Sequence, residues 1–214
     1  VDDADVFIQN FRPGVAERMG IGEEVLRSLV SDIIYVSISG FGEKGPYAER
    51  PAYDPIIQAL CGLASVQGGG DDERPRLVRT ILPDKLTAFT AAQAITAALV
   101  ARANTGRGQH VRLSMLDTLI AFMWPSDMGA HTFVGQSERD ERPASRIDLI
   151  YDTANGYISV AVNTDREWQG LARAVDHLEW LDDPRFSSPA LRTLHIDARL
   201  ELLQEVLLRD DATM

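Results

Sequence analysis

Asp32-Ile33-Ile34-Tyr35-Val36-Ser37-Ile38-Ser39 is nearly continuously apolar and rich in β-branched residues. Such a run suits a strand of a parallel sheet covered on both faces. Upstream, Val6-Phe7-Ile8-Gln9-Asn10 reads as a second buried strand and runs straight into Phe11-Arg12-Pro13-Gly14. Between them Val15 and Met19, then Val25, Leu26 and Leu29, fall at helical spacing in two short helices broken by Gly20 and Gly22. Pro13 suits a first helical turn. Strand, helix, strand is a βαβ unit, so the chain is expected to be α/β with a Rossmann-like parallel sheet.

Downstream, Gly40 to Pro51 is rich in glycine and proline. It reads as a long loop after the carboxyl end of a strand, where open α/β sheets bind ligands. A helix is expected from about Tyr53, with Ile56, Ile57, Leu60 and Leu63 sharing a face, and Gly68 to Asp72 reads as a surface connection. Arg76 to Leu82 is a short strand or extended run. Asp84 to about Asn104 carries the strongest helical signal, with many alanines that favour helix intrinsically. Gly106 or Gly108 suits its left-handed end. His110 to Ser114 is a strand, and Ser114 opens a further helix with Asp117 as capping-box partner, running to Pro125.

Three regions are expected: a large domain over 1–128 with its N-terminal part missing, a linker over 129–150, and part of a second, smaller α/β domain over 151–214. In the last, Asn155-Gly156 signals a turn before a strand Gly156 to Val162, and helices cover Arg166 to Val175 and Ile196 to Leu208. The chain opens on a strand with no preceding βα element and closes in an unfinished second domain. It reads as a piece of a longer protein.

Composition narrows the function. The 214 residues carry a net charge of −11, with the acids dispersed. That argues against nucleic-acid binding, which needs a basic face. An anionic small ligand needs only a local cluster of cations. No apolar run of membrane-spanning length and no signal peptide stand out, so no membrane partner is expected. Cys61 is the single cysteine, and a cytoplasmic location follows as the default. His110, His131, His177 and His195 show no metal-ligand spacing, so no metal is expected. Walker, Gly-x-Ser-x-Gly and Gly-x-Gly-x-x-Gly motifs are absent.

Four groups of residues remain for chemistry. Asp84, at the start of the Ala-rich helix, reads either as a helix cap or as a nucleophile kept ionised by the helix macrodipole. Arg12, Arg18 and Arg50 fall near carboxyl ends of strands, and guanidinium groups suit phosphate; each alone also reads as a surface arginine. Tyr53 and Asp54 either start a helix with the ring packed inward or face a ligand. Cys61, among apolar neighbours, reads as a small core residue.

Taken together, several stretches resemble the class III CoA-transferase family, which includes formyl-CoA transferase and the carnitine CoA-transferases. They are Asn10-Phe11-Arg12-Pro13-Gly14, Arg18-Met19-Gly20, Ser37-Ile38-Ser39-Gly40-Phe41-Gly42, Gly45-Pro46-Tyr47, Ala52-Tyr53-Asp54 and Thr105-Gly106-Arg107-Gly108-Gln109. Past residue 150, Asp152 to Val162 and Asp182-Asp183-Pro184-Arg185-Phe186 resemble the family more loosely.

The resemblance implies an acyl-CoA:carboxylate CoA-transferase with Asp84 as the catalytic aspartate, forming covalent intermediates. It implies coenzyme A contacts at Asn10, Phe11, Arg12, Arg18, Arg50, Pro51, Ala52 and Tyr53, with acyl-CoA and a free carboxylic acid as partners and an interlocked homodimer. The start of the Asp84 helix would supply amide donors to an oxyanion. The family also contains α-methylacyl-CoA racemases, with a histidine where this chain has Tyr53, so two-base proton exchange lacks one partner. An inactive CoA-binding fragment is the third reading. No glycine-rich run appears between Val134 and Ser145 to close over Asp84.

Overall fold

The computed structural model describes residues 3–69, 73–128, 132, 134 and 147–209, in two compact units that divide after Ile147. Most of the expected linker falls outside the described residues, and its last residue, Ile150, already belongs to a strand of the second unit. Part of the expected Gly68 to Asp72 connection also falls outside them.

The first unit is built on a three-stranded parallel sheet of β1 (Val6–Gln9), β2 (Ile34–Ser39) and β3 (His110–Ser114), with β2 in the middle. Ile33 to Val36 are almost wholly buried, as a strand covered on both faces requires. The pleat sorts its residues. Ile34, Val36 and Ile38 join Val6 and Val111 against Ile95, Ala98 and Leu99 of α5 (Leu82–Thr105). Tyr35 and Ser37 point the other way, toward α1 (Val15–Arg18) and α2 (Glu23–Leu29). There Tyr35 stacks on Phe7 at 5.3 Å and its hydroxyl donates to the Ile21 carbonyl at 3.0 Å.

The helix expected from Tyr53 is instead two, α3 (Asp54–Leu60) and α4 (Leu63–Gly68), separated by Gly62 at φ +85°. Ile57, Gln58 and Cys61 are buried, whereas Ile56 and Leu60 are exposed, so the expected shared face does not form. Cys61 packs with Ile57, Leu119 and Met123 as a core residue, and burial pushes its thiol up. Arg76 to Ile81 forms no strand and bends at Arg79 and Thr80, while Leu82 already belongs to α5. By length and composition α5 would also pass as a membrane-crossing helix, contrary to expectation. Here it lies along the sheet with one side packed, through Ile95, Ala98 and Leu99, while Phe89 and Val100 are exposed. It ends at Gly106, φ +70°, in the expected left-handed turn. Gly108 has a different reason to be glycine: a Cβ there would lie 2.3 Å from the Ile33 carbonyl oxygen.

Ser114 accepts from the Asp117 N–H at 3.2 Å and so caps α6 (Met115–Asp127), which continues past Pro125.

The second unit pairs β4 (Ile150–Thr153) with β5 (Gly156–Ser159) in an antiparallel hairpin, so the expected strand from Gly156 stops short of Val162. Its helices are α7 (Asp165–Ala174), α8 (Pro189–Leu194) and α9 (Ile196–Leu207). Trp168, Trp180, Phe186 and Leu203 make the core. Thr164 and Glu167 form a capping box on α7.

Candidate active site

A cleft of about 540 Å³ opens where β1 and β2 end. Asn10 to Pro13 line it from the loop after β1, and Ile38 to Gly40 from the end of β2. Ala48 and Arg50 to Tyr53 come from the returning loop, Asp84, Thr87 and Ala88 from α5, and Met115 from α6. The fold thus brings together Asp84 and, among the residues the resemblance assigned to coenzyme A, Asn10, Phe11, Arg12, Arg50, Pro51, Ala52 and Tyr53. Arg18 is the exception. It is exposed at the end of α1 and lines no part of this cleft.

The loop that carries Arg50 is held in place. Gly40 and Ala52 approach so closely that a Cβ on Gly40 would lie 2.1 Å from that of Ala52. The Leu116 N–H donates to the Gly40 carbonyl at 3.1 Å. Arg50 stacks its guanidinium on Tyr47 at 4.5 Å, and Tyr47 meets Phe41 edge-on. Tyr53 ends the loop as the N-cap of α3. Its side chain does not pack inward: the residue is 68% exposed and borders the cleft.

Asp84 is not the cap of α5. The N-cap is Ile81, which offers no side chain to the helix, and Asp84 sits in the first turn. The capping oxygen comes from 30 residues upstream: the Asp84 N–H donates to Oδ2 of the buried Asp54 at 3.3 Å. The expected supply of free amides at this helix start is also corrected. The Leu82 N–H donates to Thr80, Pro83 has none, Asp84 is taken by Asp54, and Lys85 donates to Ile81. Asp84 is exposed by surface area, yet the desolvation it feels at the cleft and the Asp54 carboxylate push it above the ordinary aspartate range, opposite to the direction expected from the helix macrodipole alone.

A larger cleft of about 790 Å³ lies alongside and shares Phe11, Pro13, Ile38 and Ser39. Its walls carry Glu17, Glu23, Glu24, Glu43 and Asp117 against Lys44 and an Arg112 already paired with Glu43, a poor setting for an anionic ligand, and none of Asp84, Arg12 or Arg50. A hydrogen-bonded chain on its floor escaped the sequence reading. Ser37 Oγ lies 2.8 Å from His110 Nε2, and His110 Nδ1 lies 2.9 Å from Glu23 Oε2. Gln9 Nε2 donates to the same serine oxygen at 3.0 Å, and Arg27 pairs with Glu23. With Gln9 occupying the hydroxyl that would have to attack, we read this chain as a tie between the three strands and α2.

A sequence profile described as CoA-transferase family III matches residues 1–213. The chain belongs to that family. This family III member is 32% identical over 218 residues to the acetyl-CoA:oxalate CoA-transferase of Acetobacter aceti, covering 99% of this chain and 55% of that protein. It is 29% identical to the human succinyl-CoA:glutarate CoA-transferase, covering 94% of this chain and 46% of the relative. Among solved structures, a Mycobacterium tuberculosis protein crystallised in an orthorhombic form superposes with a TM-score of 0.84 at 26% identity, over 99% of this chain and 56% of that one. A CAIB/BAIF family protein from Brucella suis gives 0.78 at 29% identity, over 98% and 56%. The family III chain therefore spans about half the length of the relatives it matches.

Proposed function

We propose that this family III chain carries the nucleophile and much of the coenzyme A site of an acyl-CoA:carboxylate CoA-transferase, acting through covalent intermediates on Asp84. The observation that carries the reading is that Asp84 shares one cleft with Arg12, Arg50 and Tyr53. A reactive carboxylate thus stands beside cations suited to phosphate and an exposed aromatic ring suited to stacking.

The chemistry divides one acyl exchange into steps. An Asp84 carboxylate oxygen attacks the thioester carbonyl, the carbon–sulfur bond breaks, and coenzyme A leaves as thiolate. The thiolate then attacks the aspartyl carbonyl of the mixed anhydride, which releases the donor acid and leaves an aspartyl thioester. The incoming carboxylate attacks that thioester to form a new anhydride, and returning thiolate attacks its acyl carbon, restoring Asp84. Each tetrahedral intermediate needs donors aimed at its oxyanion. Since the first amides of α5 are committed elsewhere, the Asn10 amide, the Ser39 and Tyr53 hydroxyls and the two guanidinium groups are candidate donors in this cleft. An exposed tyrosine, not a histidine, at residue 53 leaves racemase-type proton exchange short of a base. We further propose that the working protein is an interlocked homodimer, as the resemblance implies, and that its single cysteine, Cys61, fits a cytoplasmic location.

Asp84→Ala in the full-length protein should abolish exchange, and with it any hydroxylamine-trappable adduct on this aspartate. Undiminished turnover in Asp84→Ala would sink the reading. Deuterium uptake at the α-carbon of an acyl-CoA without acid exchange would replace it with the racemase reading.

A further inference from the structure

Two buried polar side chains of α3 are not accounted for by substrate contact. Gln58 is 1% exposed and Asp54 6%. Neither lines the cleft. Gln58 Nε2 donates to Asp54 Oδ1 at 2.7 Å and lies within reach of the Val78 and Thr80 carbonyls at 3.3 and 3.2 Å, while its Oε1 accepts from the Val78 N–H at 2.9 Å. Its amide is fully used, so it cannot turn over without losing partners. It thereby sets the path of the chain that enters α5. The other oxygen of Asp54 holds the Asp84 N–H.

We propose that Asp54 and Gln58 are positioning residues for Asp84, fixing the first turn of α5 by hydrogen bonds while the buried Asp54 charge holds the Asp84 carboxylate toward the cleft and favours its acylation. The proposal rests on Asp84 being the nucleophile. Its physical content is a pair of like charges. When the Asp84 oxygen bonds to the acyl carbon and the electron pair of the broken carbon–sulfur bond leaves on coenzyme A, Asp84 becomes neutral and the repulsion ends. An ionised Asp84 is thus disfavoured relative to its acylated form, the direction a nucleophile needs. The upward displacement of Asp84, partly caused by Asp54, agrees with this. The other charged groups here are Arg12 and Arg50 across the cleft and Lys85, whose ammonium donates to Thr80 Oγ1 at 2.8 Å; Tyr53, which precedes Asp54 and borders the cleft, and Cys61 are uncharged titratable groups nearby.

The test uses full-length wild type, Asp54→Asn and Asp54→Glu, with three readouts: thermal stability, the titration of the Asp84 carboxyl followed by carbon-13 NMR, and kcat and KM for acyl-CoA. In folded Asp54→Asn, Asp84 should titrate at lower pH. Its kcat should fall about 100-fold, the usual effect of misplacing a reacting group, with KM changed less than about 2-fold. Asp54→Glu keeps the charge and should restore most of both. An unmoved Asp84 titration, or a raised KM with kcat intact, overturns the proposal. If Asp54→Asn does not fold, Gln58→Asn shortens the clamp and leaves Asp54 in place. It should lower kcat and move the Asp84 titration without raising KM, and wild-type behaviour in that variant overturns the proposal equally. If instead Asp84→Ala keeps its activity, the transferase reading fails, while the NMR titration still decides whether Asp54 governs Asp84.

Discussion

Gln58 and Val78 are joined twice, side chain to backbone: the Val78 N–H donates to Gln58 Oε1 at 2.9 Å and Gln58 Nε2 donates to the Val78 carbonyl at 3.3 Å. A side-chain amide thus satisfies a segment that has no strand beside it. Gln58→Ala should destabilise the first unit by about 2–4 kcal/mol, from several lost hydrogen bonds and a buried cavity. It should also make Arg76 and Arg79 faster trypsin sites, measured by limited proteolysis; an unchanged cleavage rate would contradict the clamp.

The two glycines of Thr105-Gly106-Arg107-Gly108-Gln109 should respond differently to alanine. Gly106→Ala meets open space and strains only the left-handed backbone, costing about 1 kcal/mol. Gly108→Ala drives a methyl group into the Ile33 and Asp32 backbone and should cost about 3 kcal/mol. Urea denaturation of the pair separates conformational strain from steric exclusion.

Acid should loosen the tie between α2 and the sheet. Burial raises the Glu23 carboxyl, but hydrogen bonds from Arg27 and His110, with their charges, outweigh it and hold the group below the usual carboxylate range. A carboxylate depressed on folding stabilises the fold above its unfolded value of about 4.3, and that contribution disappears as pH falls through the folded value. Glu23→Gln should lose about 1–3 kcal/mol at neutral pH and show a flatter dependence of stability on pH below about 5. Parallel wild-type and variant curves would count against the assignment.

Asp84 should behave in the opposite sense. Its folded value is raised, so the folded state takes up a proton more readily than the unfolded chain, and the ionised group opposes folding at neutral pH. Asp84→Asn should therefore leave the melting temperature unchanged or higher while turnover is lost. The acid limb of kcat/KM should fall above the ordinary aspartate value of about 3.9. A melting temperature that drops would show that the carboxylate stabilises the helix after all.

In the second unit Arg192 is 2% exposed; it donates to the Phe186 carbonyl at 2.8 Å and pairs with Asp165 at 2.7 Å. Arg192→Met keeps the bulk and strands the carbonyl. It should lower the stability of that unit by about 1–3 kcal/mol in a calorimetric scan.

What could be read in advance followed locality. β2 announced itself because both its faces are covered, and α5 because its alanines leave little alternative to helix. The cleft was legible only as an ordered set of short motifs, no one of which is decisive. What escaped reading depends on partners far along the chain. Asp54 caps a helix from another element, Gln58 replaces a strand neighbour for Val78, and His110 meets Glu23 across 87 residues. Arg192 and Arg199, which no local pattern singles out, are buried. No window of neighbouring residues carries these facts. Arg76 to Leu82 looked strand-like for the same reason, since an extended apolar segment does not say whether a ladder awaits it.

The sheet order also sets a timetable for assembly. Gln9 and Ser37, joined across β1 and β2, are 28 residues apart, whereas Ser37 and His110, joined across β2 and β3, are 73 apart. Closing the longer loop is the slower search, because its entropy is spent before any pairing rewards it. During synthesis the apolar edge of Ile34, Tyr35 and Val36 stays unpaired until residue 114 has emerged, so a nascent chain is open to strand capture by its neighbours throughout that interval. Met115, the cleft residue that follows β3 directly, takes its place only when this closure is complete, which makes the wall around Asp84 a late product of folding.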